Sequence, residues 1–93
     1  MLRSSIEFEW DRGNRKKNWV KHRISTKESE DLFFDKRSFT TKDTRHSTIE
    51  DRFQILGKTV KGKHLAVYFT VRGNKIRVIS ARPMSRKERK QYE

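Results

Sequence analysis

A proton acceptor, a phenol and guanidinium groups are the parts needed to cut RNA without a metal ion, and they recur through the second half of this chain. His46, Glu50, Tyr68, Arg77 and Arg82 form the candidate catalytic set, with Lys21 and His22 as an outlying pair. Such cleavage needs a base to remove the 2′-hydroxyl proton, cations to stabilise the dianionic phosphorane, and an acid to protonate the leaving 5′-oxygen. Glu50 or His46 fits the base, since carboxylates and imidazoles ionise below or near neutrality. Arg77 and Arg82 fit the phosphate, whose two oxygens match a guanidinium's planar fork. Tyr68, His46 or Lys21 could supply the last proton. Lys21, His22, Arg52 and Lys75 add candidate substrate-binding groups.

Each residue has a plainer reading beside this one. Arg77 could be a solvated cation, Tyr68 a structural phenol, and His46 with Glu50, four apart, a surface hydrogen bond. Asp43, His46, Glu50 and Asp51 could gather around a divalent ion, but no HxxxH, HExxH or Asp-rich loop spacing is present. No metal and no cofactor are therefore expected.

The element that must position these groups is His64 to Arg82, HLAVYFTVRGNKIRVISAR. Gly73-Asn74 between two β-branched and aromatic runs predicts a hairpin with a tight I′ or II′ turn. In that register Val71 opposes Ile76, Phe69 opposes Val78 and Val67 opposes Ser80, which with Leu65 makes a face to be buried. The other face sets Thr70 across from Arg77 and Tyr68 across from Ile79. Arg82 then has core-facing parity, so the strand must break register or end before Arg82 can join Arg77.

Upstream, Ile6, Phe8 and Trp10 alternate with acids as a first strand closed by a turn at Asp11-Arg12-Gly13. Asn14 offers a cap to a cationic helix over Arg15 to His22, with Trp19 and Val20 as a narrow buried stripe. Ser25-Thr26-Lys27-Glu28 has capping-box spacing and opens a second helix through Phe33. Ser38 to Thr41 reads as a short edge strand, Phe53 and Ile55 as the core side of another, and Lys61-Gly62-Lys63 as the turn into the hairpin. After Pro83, Ser85-Arg86-Lys87-Glu88 repeats the capping box ahead of a charged helix. The order predicts one α+β domain over 1–93: a single antiparallel sheet of about four strands, two N-terminal helices, one C-terminal helix, and helices on one face only.

Composition narrows the partner. A formal charge of +12 over 93 residues calls for something acidic, and nucleic acid is the commonest such partner. No broad apolar helix face, membrane-length run or signal-peptide core is present, so no membrane contact and a cytoplasmic location are expected. Zero cysteines exclude disulfides and thiolate metal sites.

Four stretches carry a resemblance: FEWD (Phe8 to Asp11), N-x-x-KH (Asn18, Lys21, His22), RHS-x-x-E-x-R (Arg45 to Arg52), and RVISAR followed by R-K-E-R-x-x-Y-E (Arg77 to Arg82, Arg86 to Glu93). Together and in this order they resemble the BrnT family of toxins from bacterial type II toxin-antitoxin modules. The resemblance implies a RelE-like fold and an endoribonuclease that stops translation and growth. It also implies a BrnA-type ribbon-helix-helix antitoxin that covers the toxin and brings it to operator DNA only within the complex. Two positions depart from the pattern: Arg23 and Lys36 stand where family members often have Gly and Pro, which implies a different or modestly strained cap after Lys21 and His22. A non-catalytic basic nucleic-acid-binding module is the alternative, without the paired aromatics of an RNP motif. A further alternative is an inactive toxin relative kept for antitoxin contact.

Overall fold

A computed structural model describes residues 6–10, 12–46 and 50–93, with the side chains of residues 12, 14, 15, 20 and 46 outside the description. Along the chain come β1 (Glu7–Trp10), α1 (Arg12–His22), α2 (Thr26–Asp31) running into a 3-10 turn (Leu32–Phe34), and β2 (Phe39–Lys42). A second 3-10 turn (Thr44–His46), β3 (Phe53–Lys58), β4 (His64–Arg72), β5 (Lys75–Pro83) and α3 (Arg86–Tyr92) complete it. Two helices before the sheet's main hairpin and one after it are as expected.

The strands form one sheet in the order β1-β5-β4-β3-β2. It has five strands and is mixed, where a wholly antiparallel sheet of about four is expected from the sequence. β1 adds to the outer edge of β5 in parallel, pairing Phe8 with Ile76 and Trp10 with Val78. Alternation announces a strand but carries no information about which edge it joins or in which direction. The hairpin turn has positive φ at Gly73 alone, +62°, the pattern of a type II′ turn with glycine at its first central position.

The main core lies on one side of the sheet. Ile55, Val67, Phe69, Ile76, Val78 and Ala81 meet Ile24 and Leu32 there, with Phe8, Trp10, Phe33 and Phe53 at its margin. Fully removing Leu32 or Val78 from water contributes about 2 kcal/mol each. Gly57 makes room for Leu32: a Cβ at that position would sit 2.9 Å from the Leu32 Cγ.

A smaller core of Leu56, Ala66, Met84, Tyr92 and Phe39 forms on the reverse side. Leu56 and Ala66 have the opposite parity to Ile55 and Val67, so α3 packs on the reverse face, and the expectation of helices on a single face is overturned. The Ser85–Glu88 capping box starts α3 where the sequence places it. Tyr92 then locks its end, donating its hydroxyl to Asp35 at 2.6 Å. α3 thereby covers part of the reverse face.

α1 also departs from expectation. It starts at Arg12, before the predicted Asn14 cap, so Arg12 and Gly13 are helical rather than a turn; Asp11 and the Asn14 side chain lie outside the described residues. Trp19 is 49% exposed, Val20's side chain is outside the description, and it is Asn18 that is buried, at 4%. No described helix is long and apolar enough to cross a membrane.

Candidate active site

The site begins with one extra residue. Tyr68 pairs with Ser80 while Phe69 pairs with Val78, so Ile79 has no partner and β5 is bulged there. The register of Phe69 with Val78 and Thr70 with Arg77 follows the alternation, but Val67 meets Ala81 rather than Ser80, and Tyr68 meets Ser80 rather than Ile79. A bulge inverts the parity of everything beyond it. Ala81 turns into the core, and Ser80 and Arg82 turn out beside Tyr68, which removes the parity conflict that Arg82 presents in the sequence.

Asn18 exploits the same discontinuity. β1 ends opposite Val78, and among the described residues no strand pairs with the outer edge of β5 from there on. The Asn18 side-chain oxygen accepts the Ala81 N–H at 3.2 Å, in a buried setting, and so fastens α1 to this edge. Lys17, Lys21 and His22 thereby face Tyr68, Ser80 and Arg82 across a groove of about 200 Å³. α1 ends at His22, and Arg23 just after it donates its N–H to the Trp19 carbonyl at 2.8 Å with φ at +56°. This is a left-handed C-cap in a residue with a Cβ, the strain anticipated from the missing glycine.

Within the site, Arg82 is almost fully engaged. Its two terminal nitrogens donate to the two Glu88 oxygens at 2.7 Å each, to the Pro83 carbonyl at 3.1 Å, and to the Tyr68 hydroxyl oxygen at 2.8 Å. Gln54 donates to the same Tyr68 oxygen at 2.9 Å and to Glu88 at 3.0 Å. The paired Arg82 hydrogen bonds hold the Glu88 carboxyl down at about 2, and Glu88 in turn holds the guanidinium above its ordinary value. With two donors on its oxygen, the Tyr68 phenol is left to donate its own hydrogen outward.

On the other flank of Tyr68 lies a cleft of about 350 Å³ whose walls include Lys42, Asp43, Arg45, Arg52 and Gln54. Arg52 stacks over the Tyr68 ring at 5.5 Å and pairs with Asp43 at 3.7 Å. Tyr68 and Ser80 line both hollows, so they form a ridge between two cationic grooves. A polyanion lying across the ridge would meet positive charge on both sides of one phenol.

The sequence candidates divide accordingly. Tyr68, Arg82, Lys21, His22 and Arg52 come together at the ridge. Arg77 lies on the same face, paired with Thr70, in a neighbouring depression of about 380 Å³ with Glu9, Trp10 and Arg72. Glu50 is gripped by Arg72 through bonds of 3.0 and 3.3 Å, which hold its carboxyl below the usual range, aided by the Arg77 charge. Lys75 pairs with Glu9 at 3.8 Å. The His46 side chain lies outside the described residues. Gln54, Ser80 and Glu88 are site residues the sequence does not single out. Gln54 has only its parity opposite Phe53 and Ile55 to mark it, and the capping-box spacing explains Glu88 without reference to a site.

Comparison with known proteins adds three findings. The family model of the ribonuclease toxin BrnT of type II toxin-antitoxin systems matches residues 10–88. Among solved structures, the ribonuclease toxin BrnT of Brucella abortus is similar with a TM-score of 0.65 at 26% sequence identity, over 87% of this chain and 99% of that one. No curated protein sequence matches.

Proposed function

This chain belongs to the BrnT family of ribonuclease toxins of type II toxin-antitoxin systems, and we propose that it cuts RNA by metal-independent acid-base chemistry at the Tyr68 ridge. The observation that carries this reading is a phenol whose oxygen accepts two hydrogen bonds, set between two cation-lined grooves. His22 takes the 2′-hydroxyl proton; it is the imidazole in the groove with Tyr68, and imidazole is the side chain suited to that task at neutral pH. The 2′-oxygen attacks phosphorus, Lys21 and Arg52 balance the dianionic phosphorane, and Tyr68 protonates the 5′-oxygen as its bond to phosphorus breaks. Arg77 and Lys75 track flanking phosphates. Glu50 is not assigned as the base, because Arg72 occupies both of its oxygens and stabilises the carboxylate.

In the cell this activity stops translation, and a BrnA-type ribbon-helix-helix antitoxin neutralises it and represses the shared operon. Expression alone then arrests growth. Purified protein in EDTA leaves a 2′,3′-cyclic phosphate on one product and a 5′-hydroxyl on the other. Cleavage that depends on added magnesium, or tight RNA binding with no cleaved product, would refute the reading.

A further inference from the structure

We propose that Arg82 does not hold the scissile phosphate: with Glu88 and Gln54 it is a positioning residue that aims and stabilises Tyr68 as the proton donor. This rests on the ribonuclease reading above and specifies who acts on the reacting atoms.

The argument is a count of donors. A guanidinium has five N–H groups and no acceptor. Four of those of Arg82 are spent within the described residues, two on Glu88, one on Pro83 and one on Tyr68. The fork that would clasp two phosphate oxygens already clasps two carboxylate oxygens, each at 2.7 Å. A phosphate would have to evict a carboxylate that also accepts the Ser85 N–H at 2.8 Å and Gln54 at 3.0 Å. Four donors on one carboxylate make it a fixed anchor.

What the anchor fixes is the phenol. Arg82 and Gln54, both tied to Glu88, both donate to the Tyr68 oxygen. Their lone-pair contacts direct the Tyr68 hydrogen away from the network, and they are already in place for the phenolate that remains once that hydrogen has passed to the 5′-oxygen. Glu88 thus acts through Arg82 and Gln54, and Arg82 through Tyr68. The phosphate is left to Arg52, Lys21 and Lys17, which line the two grooves.

A substrate with sulfur in place of the bridging 5′-oxygen separates the roles, because a thiolate leaves without being protonated. On ordinary RNA, Tyr68→Phe, Glu88→Gln and Arg82→Lys are each expected to lower kcat by about 100-fold or more with KM little changed. On the 5′-thio substrate all three recover toward the wild-type rate. Glu88→Gln keeps the shape and a hydrogen-bonding oxygen, so it guards against an Arg82 variant that folds poorly. The proposal is overturned if Arg82→Lys raises KM steeply and the sulfur substrate restores Tyr68→Phe alone, for then the guanidinium binds phosphate. Wild-type protein that cuts neither substrate removes the ribonuclease reading itself.

Discussion

Glu88 serves two elements with one carboxylate. It closes the capping box that starts α3, and it anchors the guanidinium behind Tyr68. Its ionisation is therefore linked to folding. The ordinary glutamate value of 4.5 falls to about 2 in the folded chain, first through Arg82's hydrogen bonds. A depressed folded value means stability that is fully present above the unfolded value and is lost as pH falls from about 5 to about 2. Allowing for partial exposure, the contribution is about 1–2 kcal/mol. Unfolding midpoints followed across that range should fall steadily for the wild type, and Glu88→Gln should be lower at neutral pH but flatter below pH 5. Parallel curves for the two proteins would mean the pair contributes nothing. At this scale the sequence is a partial guide. Residue type marks Tyr68, Arg82, Lys21 and His22 as candidates, because few side chains suit the chemistry, and the fold brings these four together. Residue type does not foresee the ion pair at Glu50, since Arg72, which binds it, is 22 residues away and no spacing reveals that contact.

At the scale of elements, a backbone irregularity and a side-chain tether place the candidate site, and a second irregularity, the left-handed cap at Arg23, ends α1 beside it. The bulge at Ile79 turns Arg82 to Tyr68's side, and Asn18's bond to Ala81 holds α1, with Lys21 and His22, along the same groove. Alternation locates the hairpin, its turn and most of its register, and it identifies a conflict at Arg82. It could not locate the extra residue, because IRVIS reads equally well as an unbroken strand. For the same reason the parallel pairing of β1 and the reverse-face docking of α3 were beyond it: both depend on contacts made far along the chain. The cap is the more testable irregularity. A left-handed conformation costs a residue with a Cβ about 1 kcal/mol, and Arg23 recovers about half of that by stacking over Trp19 at 5.5 Å. Arg23→Gly should therefore stabilise the fold by about 0.5 kcal/mol and raise the thermal midpoint by about 2–4 °C. A lower midpoint would show that the stacked guanidinium outweighs the strain.

The whole molecule carries a charge of +12, and the ridge lies where part of that charge is concentrated on either side of a phenol. Some cations elsewhere are matched: Lys27 with Asp31 and Lys63 with Glu28. The cations that line the two grooves, Lys17, Lys21, Arg45 and Arg52 among them, would act on a polyanion as a field before any specific contact forms. Gathering and cutting should separate experimentally, because one is made of phosphate contacts and the other of a proton transfer. If a single strand spans both grooves and meets about five phosphates, its affinity should fall about 100-fold between about 50 and 200 mM salt. Arg52→Gln should make the plot of log affinity against log salt shallower by about 0.7, the loss of one phosphate contact from a single strand. Tyr68→Phe should leave that slope unchanged while abolishing most of the cutting. Equal slopes for wild type and Arg52→Gln would mean that Arg52 serves the Tyr68 ring and Asp43 alone, and that the strand runs along the α1 groove only.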